Sequence, residues 1–227
     1  MALNFAVILS GCGYLDGSEI HESVLTLLAL SKQEIRYQCY APDRPQHHSI
    51  NHLTQEEEVG ARNVLVESAR IARGNVRDLT KLDVKQYDAV IFPGGFGVAK
   101  NFFDYAFAGE NATVQQDIEN LLLAAHKNKI AIGAICISPT LLAKVFKDAG
   151  VEITVTSGTA ENGNATIEKF GQNHSCVEAN EICVDTANNI VSTPAYMNES
   201  SIADIATGID NLVDKLATLA ASNKQAA

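Results

Sequence analysis

Two hydrophobic rhythms alternate along the chain. Short apolar runs rich in β-branched residues predict strands at Phe5–Leu9, Ile35–Tyr40, Ala89–Phe92, Ile130–Ile135 and Ile153–Val155. A further pair, around Glu181–Asp185 and Ile190–Ser192, flanks an Asn188-Asn189 turn. Between them, apolar residues recur at helical spacing, predicting helices over Ser18–Ser31, Thr54–Arg73, Thr113–Asn128, Pro139–Lys147 and Ser201–Ala220. Strands alternating with helices specify an α/β domain, with a mainly parallel sheet covered by helices on both faces.

The helix ends carry matching chemistry. Ser18 is a candidate cap, Thr54 with Glu57 reads as a capping box, Pro139 suits a first turn, and Gly74 and Gly150 suit helix ends. No linker or internal repeat divides the 227 residues, so one domain over 1–221 is expected, followed by an unstructured tail at 222–227. Apolar residues are 46% of the chain and charged residues 19%, enough burial to offset the entropy of ordering it.

Charge and cysteine usage narrow the function classes. A formal net charge of −10, with 17 scattered Lys and Arg, speaks against nucleic acid, whose binding needs clustered cations. The apolar run Ala131–Ile137 falls well short of the ~20 residues of a membrane span. Leu9-Ser10-Gly11-Cys12 has the form of a lipoprotein cleavage box, but no Lys or Arg precedes it and its apolar stretch is too short. The five cysteines are scattered without C-x-x-C spacing, so neither a disulfide scaffold nor a zinc site is indicated, and a reducing cytoplasm is the expected location.

In such sheets a ligand site lies beyond the carboxyl ends of the strands, which singles out the loops 10–17, 93–100 and 136–139. Cys136 stands where an all-apolar strand meets a helix start. Partial positive charge there depresses a thiol pKa, and the Ile137 N–H is an oxyanion donor candidate; a packed core cysteine is the alternative on this segment alone. Gly94 and Gly95 allow backbone N–H groups to approach a ligand, or form only a tight turn. Glu19 and Glu22 share one face of the first helix; either points at the thiol, or merely favours the helix dipole. A carboxyl beside that sulfur should be protonated through burial. Cys12 and His174 complete the substrate-binding candidates. Cys39 and Cys183 read as strand-core residues.

Ser10–Gly13, Asp16–Glu22, Ile50–Leu53, Arg62–Leu65, Pro93–Gly97, Cys136 and Thr193–Met197 together resemble the ElbB family of isoprenoid-biosynthesis glyoxalases, within the ThiJ/PfpI class I amidotransferase-like superfamily. The similarity spans nearly the whole chain. It implies a flavodoxin-like three-layer sandwich, usually a homodimer, with a cysteine nucleophile and a glutamate from the first helix; Glu22, in Glu22-Ser-Val24, matches best and Glu19 is the reserve. Several branches place a histidine about twenty residues past the cysteine, but Val155–Thr159 contains none, so the resemblance implies a Cys–Glu pair. The expected activity is conversion of a small dicarbonyl, glyoxal or methylglyoxal, without cofactor or metal. An amidotransferase-like protein with a degenerate triad and a redox-sensing or ligand-binding thiol protein are the alternatives.

Overall fold

The computed structural model describes residues 2–159 and 164–226. Its strands are β1 (Asn4–Ile8), β2 (Arg36–Ala41), β3 (Val76–Asp78), β4 (Ala89–Phe92), β5 (Ala131–Ile135), β6 (Thr154–Val155), β7 (Asn173–His174), β8 (Cys183–Asp185) and β9 (Ile190–Thr193). Its α-helices are α1 (Ile20–Lys32), α2 (Val64–Ile71), α3 (Tyr105–Ala108), α4 (Gln116–Lys127), α5 (Ser138–Asp148), α6 (Asn164–Lys169) and α7 (Ile202–Ala226).

Seven strands form one sheet in the order β3-β2-β1-β4-β5-β9-β8, parallel except for β8 against β9. Without the short edge strand β3 and the antiparallel β8, five strands follow the flavodoxin-like order. Every residue of β4 and β5 is buried, as continuous apolar strands covered on both faces require. Helix α1 packs against α7 on one face, and α4 against α5 on the other. Strand order reverses between β1 and β4, both of which pair through Phe5, Ala6 and Val7, so the loops after these strands open onto one crevice. Strands β6 and β7 form a separate parallel pair. Among the described residues no helix is long and apolar enough to cross a membrane.

Several elements depart from the sequence expectation. The helix expected over Thr54–Arg73 begins only at Val64. Asn63 is its cap, with Oδ1 accepting from Val66 N–H. The preceding segment folds back as an irregular excursion, with bridges Pro45 to Asn63 and Ile50 to Glu57. Asn51 Oδ1 accepts from the N–H groups of Leu53 and Thr54, a local turn that competes with helix. Helix α1 starts at Ile20 behind Glu19, whose carboxylate accepts from Glu22 N–H at 2.6 Å; Ser18 Oγ instead accepts from Ser10 N–H. Helix α7 runs on through Ala226, so the tail expected from Ser222 is helical up to there. Asn223 bonds Lys129 O and Lys224 pairs with Asp88. Gly74 and Gly150 end helices in the left-handed region, as expected.

Candidate functional site

Strand β5 delivers Cys136 to the sheet's carboxyl edge, where the chain must reverse into α5. The turn forces Cys136 to φ +62°, a left-handed conformation that costs a non-glycine residue about 1–3 kcal/mol and recurs at functional sites. Two bonds hold it: Cys136 N–H donates to Thr193 O of β9, and Ser138 Oγ donates to Pro93 O after β4. Ala195, just past β9, is also left-handed, at φ +45°. Pro139 lies in the first turn of α5, as its fixed φ favours.

The β1 and β4 loops are laced together beside this elbow. Glu19 N–H donates to Gly94 O, Phe96 N–H to Tyr14 O, and Gly97 N–H to Gly17 O. This lacing brings α1 up to the thiol. Glu22 is fully buried, and its Oε2 accepts from Gly94 N–H at 2.9 Å. The Cys136 thiol and the Tyr196 N–H also face the carboxyl, while Oε1 has no hydrogen-bond partner. A side chain at Gly94 is excluded: a Cβ there would stand 2.5 Å from Glu22 Oε2 and closer still to Cys136 Cβ.

Electrostatics at the pair are governed by burial. Loss of water raises the Glu22 pKa to about 8, with help from the Glu19 carboxylate and against the pull of its hydrogen bonds. The protonated resting Glu expected from sequence follows from this. The direction at Cys136 is the opposite of that expected. Burial first, and then the Glu22 charge, push the thiol well above its ordinary value, and the N–H groups of Gly95 and Ile137 that point at sulfur only moderate it. The helix-start effect is present but smaller than the cost of a buried thiolate, because Cys136 is only 8% exposed.

Of the residues singled out from sequence, Cys136, Glu22, Gly94, Gly95 and Ile137 come together. Gly94 differs from its expected role, since its N–H is committed to Glu22, which leaves Gly95 and Ile137 as the donors at sulfur. Glu19 caps α1 and lines the cavity above Cys136. Cys12 and His174 do not line that cavity. Cys12 faces Glu67 and Arg70. His174 Nε2 accepts from Ser157 N–H on the separate β6–β7 pair, with Cys176 Sγ 3.8 Å from Nδ1. Cys39 and Cys183 are buried strand residues as expected, and burial pushes Cys39 up to about 12.

The cavity, of about 510 Å³, is also walled by Tyr14, His21, Phe96, Tyr196 and Met197. His21 Nδ1 and Tyr196 Oη lie 2.8 Å apart. These walls were not assigned from the sequence, although Tyr196 and Met197 follow a strand's carboxyl end, the position that already singled out the other loops. Among the described residues no group of three or more His, Cys, Asp or Glu is gathered as a metal site.

Comparison with known proteins agrees with this architecture. No family model matches the chain. It is 42% identical over 226 residues to the human mitochondrial "glutamine amidotransferase-like class 1 domain-containing protein 3", covering 96% of this chain and 84% of the relative. The crystal structure of an isoprenoid biosynthesis protein with an amidotransferase-like domain from Ehrlichia chaffeensis superposes with a TM-score of 0.90 at 37% identity, covering 96% of this chain and 99% of the other. A ThiJ/PfpI domain protein from Brachyspira murdochii shares the fold alone, with a TM-score of 0.57 at 15% identity, over 94% and 98% of the two chains. With the flavodoxin-like sheet and the elbow thiol already established, these similarities identify the chain as a member of the class 1 glutamine amidotransferase-like domain family.

Proposed function

We propose that this chain is a cofactor-independent glyoxalase of the ElbB type, converting a 2-oxoaldehyde to a 2-hydroxy acid. The observation that carries the reading is the Cys136–Glu22 pair, with the Gly95 and Ile137 N–H groups aimed at sulfur. The Ehrlichia chaffeensis relative, whose name joins isoprenoid biosynthesis to an amidotransferase-like domain, supports the ElbB branch.

The reaction is an internal redox exchange between adjacent carbons. Cys136 Sγ bonds to the aldehyde carbon, the thiol proton passes through Glu22 to the aldehyde oxygen, and the two N–H groups hold that oxygen as charge develops. The Glu22 carboxylate removes the C–H proton of the adduct and passes it to the ketone oxygen, giving an enediol, then takes the proton of the former aldehyde hydroxyl and delivers it to the neighbouring carbon. That carbon is reduced to a carbinol while the sulfur-bearing carbon is oxidised to a thioester. Water hydrolyses the thioester, releasing the hydroxy acid and restoring the thiol.

Two features speak against glutamine hydrolysis. Among the described residues no Lys or Arg lines the cavity to receive an amino acid's carboxylate, and the one imidazole there, His21, is engaged by Tyr196. Measuring dicarbonyl loss with the parent and with Cys136→Ser tests the reading. A fall of about a thousandfold or more is expected; equal rates, or no turnover by either protein, would refute it.

A further inference from the structure

The cavity over Cys136 does not match glyoxal or methylglyoxal in size. Even at the ~30 Å³ that a water molecule takes in the liquid, the five non-hydrogen atoms of methylglyoxal fill ~150 Å³, against about 510 Å³ available. Nor does its lining match their polarity. Tyr14, Phe96, Ile137, Tyr196 and Met197 present aromatic and aliphatic surface around the thiol. Tyr14 and Phe96 remain 42% and 45% exposed at its edge, and exposed apolar surface grouped around a reactive residue marks a place where an apolar ligand is received.

The polar groups along the cavity wall define what it rejects. Glu19 contributes a carboxylate, and His21 and Tyr196 bond each other. Among the described residues no Lys or Arg lines the space; the Lys100 ammonium lies 5.8 Å from the Phe96 ring centroid but donates to Leu15 O, and the chain as a whole carries a net charge of −10. An anionic substituent would lose its hydration there without gaining a partner.

We infer that the preferred substrate class is a 2-oxoaldehyde whose ketone carbon bears an uncharged aryl or branched alkyl group. This inference rests on the glyoxalase reading above. The reacting O=C–C=O unit sits against Cys136 and the Gly95 and Ile137 N–H groups, and the substituent extends between Phe96 and Met197 as a passenger unchanged by the reaction. Its burial adds binding energy that the small dicarbonyls lack.

The test compares kcat/KM of the parent for methylglyoxal, phenylglyoxal and 4-carboxyphenylglyoxal, with Cys136→Ser as the blank. Phenylglyoxal is expected to exceed methylglyoxal by about tenfold or more, the scale on which apolar pockets discriminate, and the carboxylated analogue to fall at least tenfold below phenylglyoxal. Methylglyoxal turned over as well as phenylglyoxal overturns the inference and leaves the glyoxalase reading standing. A second measurement separates the two if no oxoaldehyde is consumed: protection of Cys136 from iodoacetamide at pH 8.5 by acetophenone or by acetone, read by mass spectrometry. Acetophenone protecting at concentrations at least tenfold lower supports an aryl-accepting cavity even though the glyoxalase reading has failed. Equal protection by the two ketones, or protection by neither, overturns the aryl-accepting cavity as well.

Discussion

Replacing Glu22 by Gln removes one ionisation from the protein's interior while leaving almost the same shape. The amide oxygen still accepts from Gly94 N–H, as Oε2 does at 2.9 Å, and the amide nitrogen takes the place of Oε1, which has no partner. The ordinary glutamate value is 4.5 and the buried one about 8. Between those values the unfolded chain has lost its proton and the folded chain has kept it, so folded Glu22 is stabilising in full below 4.5 and progressively less so as pH rises through about 8. At about 1.4 kcal/mol per pH unit, the loss is about 5 kcal/mol in all, roughly 3 to 4 of it between pH 5 and pH 8. Glu22 is fully buried, so solvent screening does not reduce the figure. The assay is urea unfolding of parent and Glu22→Gln at pH 5, 6, 7 and 8, taking the difference between them so that the histidines cancel. The difference is expected to move in favour of the Gln variant at each step. A difference flat to about 1 kcal/mol over that range would show that Glu22 titrates as an ordinary carboxyl and would undo the electrostatic account of the site.

Gly94→Ala drives a methyl group between Glu22 and Cys136; a stability loss of about 1–3 kcal/mol and a kcat/KM reduced about a hundredfold are expected, and unchanged kinetics would show that this close approach is not needed. Asn63→Ala removes the observed cap of α2 and should cost about 1 kcal/mol in a urea titration, whereas Thr54→Ala, in the box that does not cap a helix, should change stability by under about 0.5 kcal/mol. We propose that the homodimer implied by the family resemblance forms through Ile20, Val24 and Leu28, exposed one turn apart along α1; sedimentation velocity should show a dimer for the parent and a monomer for Val24→Asp, and identical profiles would remove α1 from the interface.

Much of the fold was written locally. Ala89–Phe92 and Ile130–Ile135 are apolar throughout because both their faces are covered, and each ends at a glycine or cysteine turn that marks the sheet's carboxyl edge. The elbow and its glycine loop were legible for the same reason. The false helix start at Thr54 shows the limit of such signals. Asn51 captures the neighbouring N–H groups, and Asp16, buried in the β1 loop, accepts from Ile50 N–H across 34 positions. The short strands β3 and β7, three and two residues long, carry too few residues for a period to register. The sign of the Cys136 shift was illegible for a related reason. A helix start is a local feature, but the burial that overrides it comes from α1 and the β4 loop, and the Glu22–Gly94 bond spans 72 positions.

A thiol and a carboxyl that both hold their protons too tightly have one cause, the removal of water from a shared space, and one consequence. At neutral pH the pair is mostly doubly protonated, so its reactive form is the one that has lost a single proton. The charge then lies on sulfur or on the carboxylate, and a pH profile reports only the total for the coupled pair. Backbone donors serve both groups: Gly94 and Tyr196 N–H face Glu22, and Gly95 and Ile137 N–H point at Cys136. With Glu22 at about 8 and the thiol well above its ordinary value, the single charge rests on the carboxylate, which takes the thiol proton as sulfur attacks. Charge then moves from sulfur onto the carbonyl oxygen, and the donors at sulfur are released to the oxyanion, fixed in place before the reaction begins. The bare α-carbon of Gly94 makes this arrangement possible, because any side chain there would separate the carboxyl from the sulfur it has to serve.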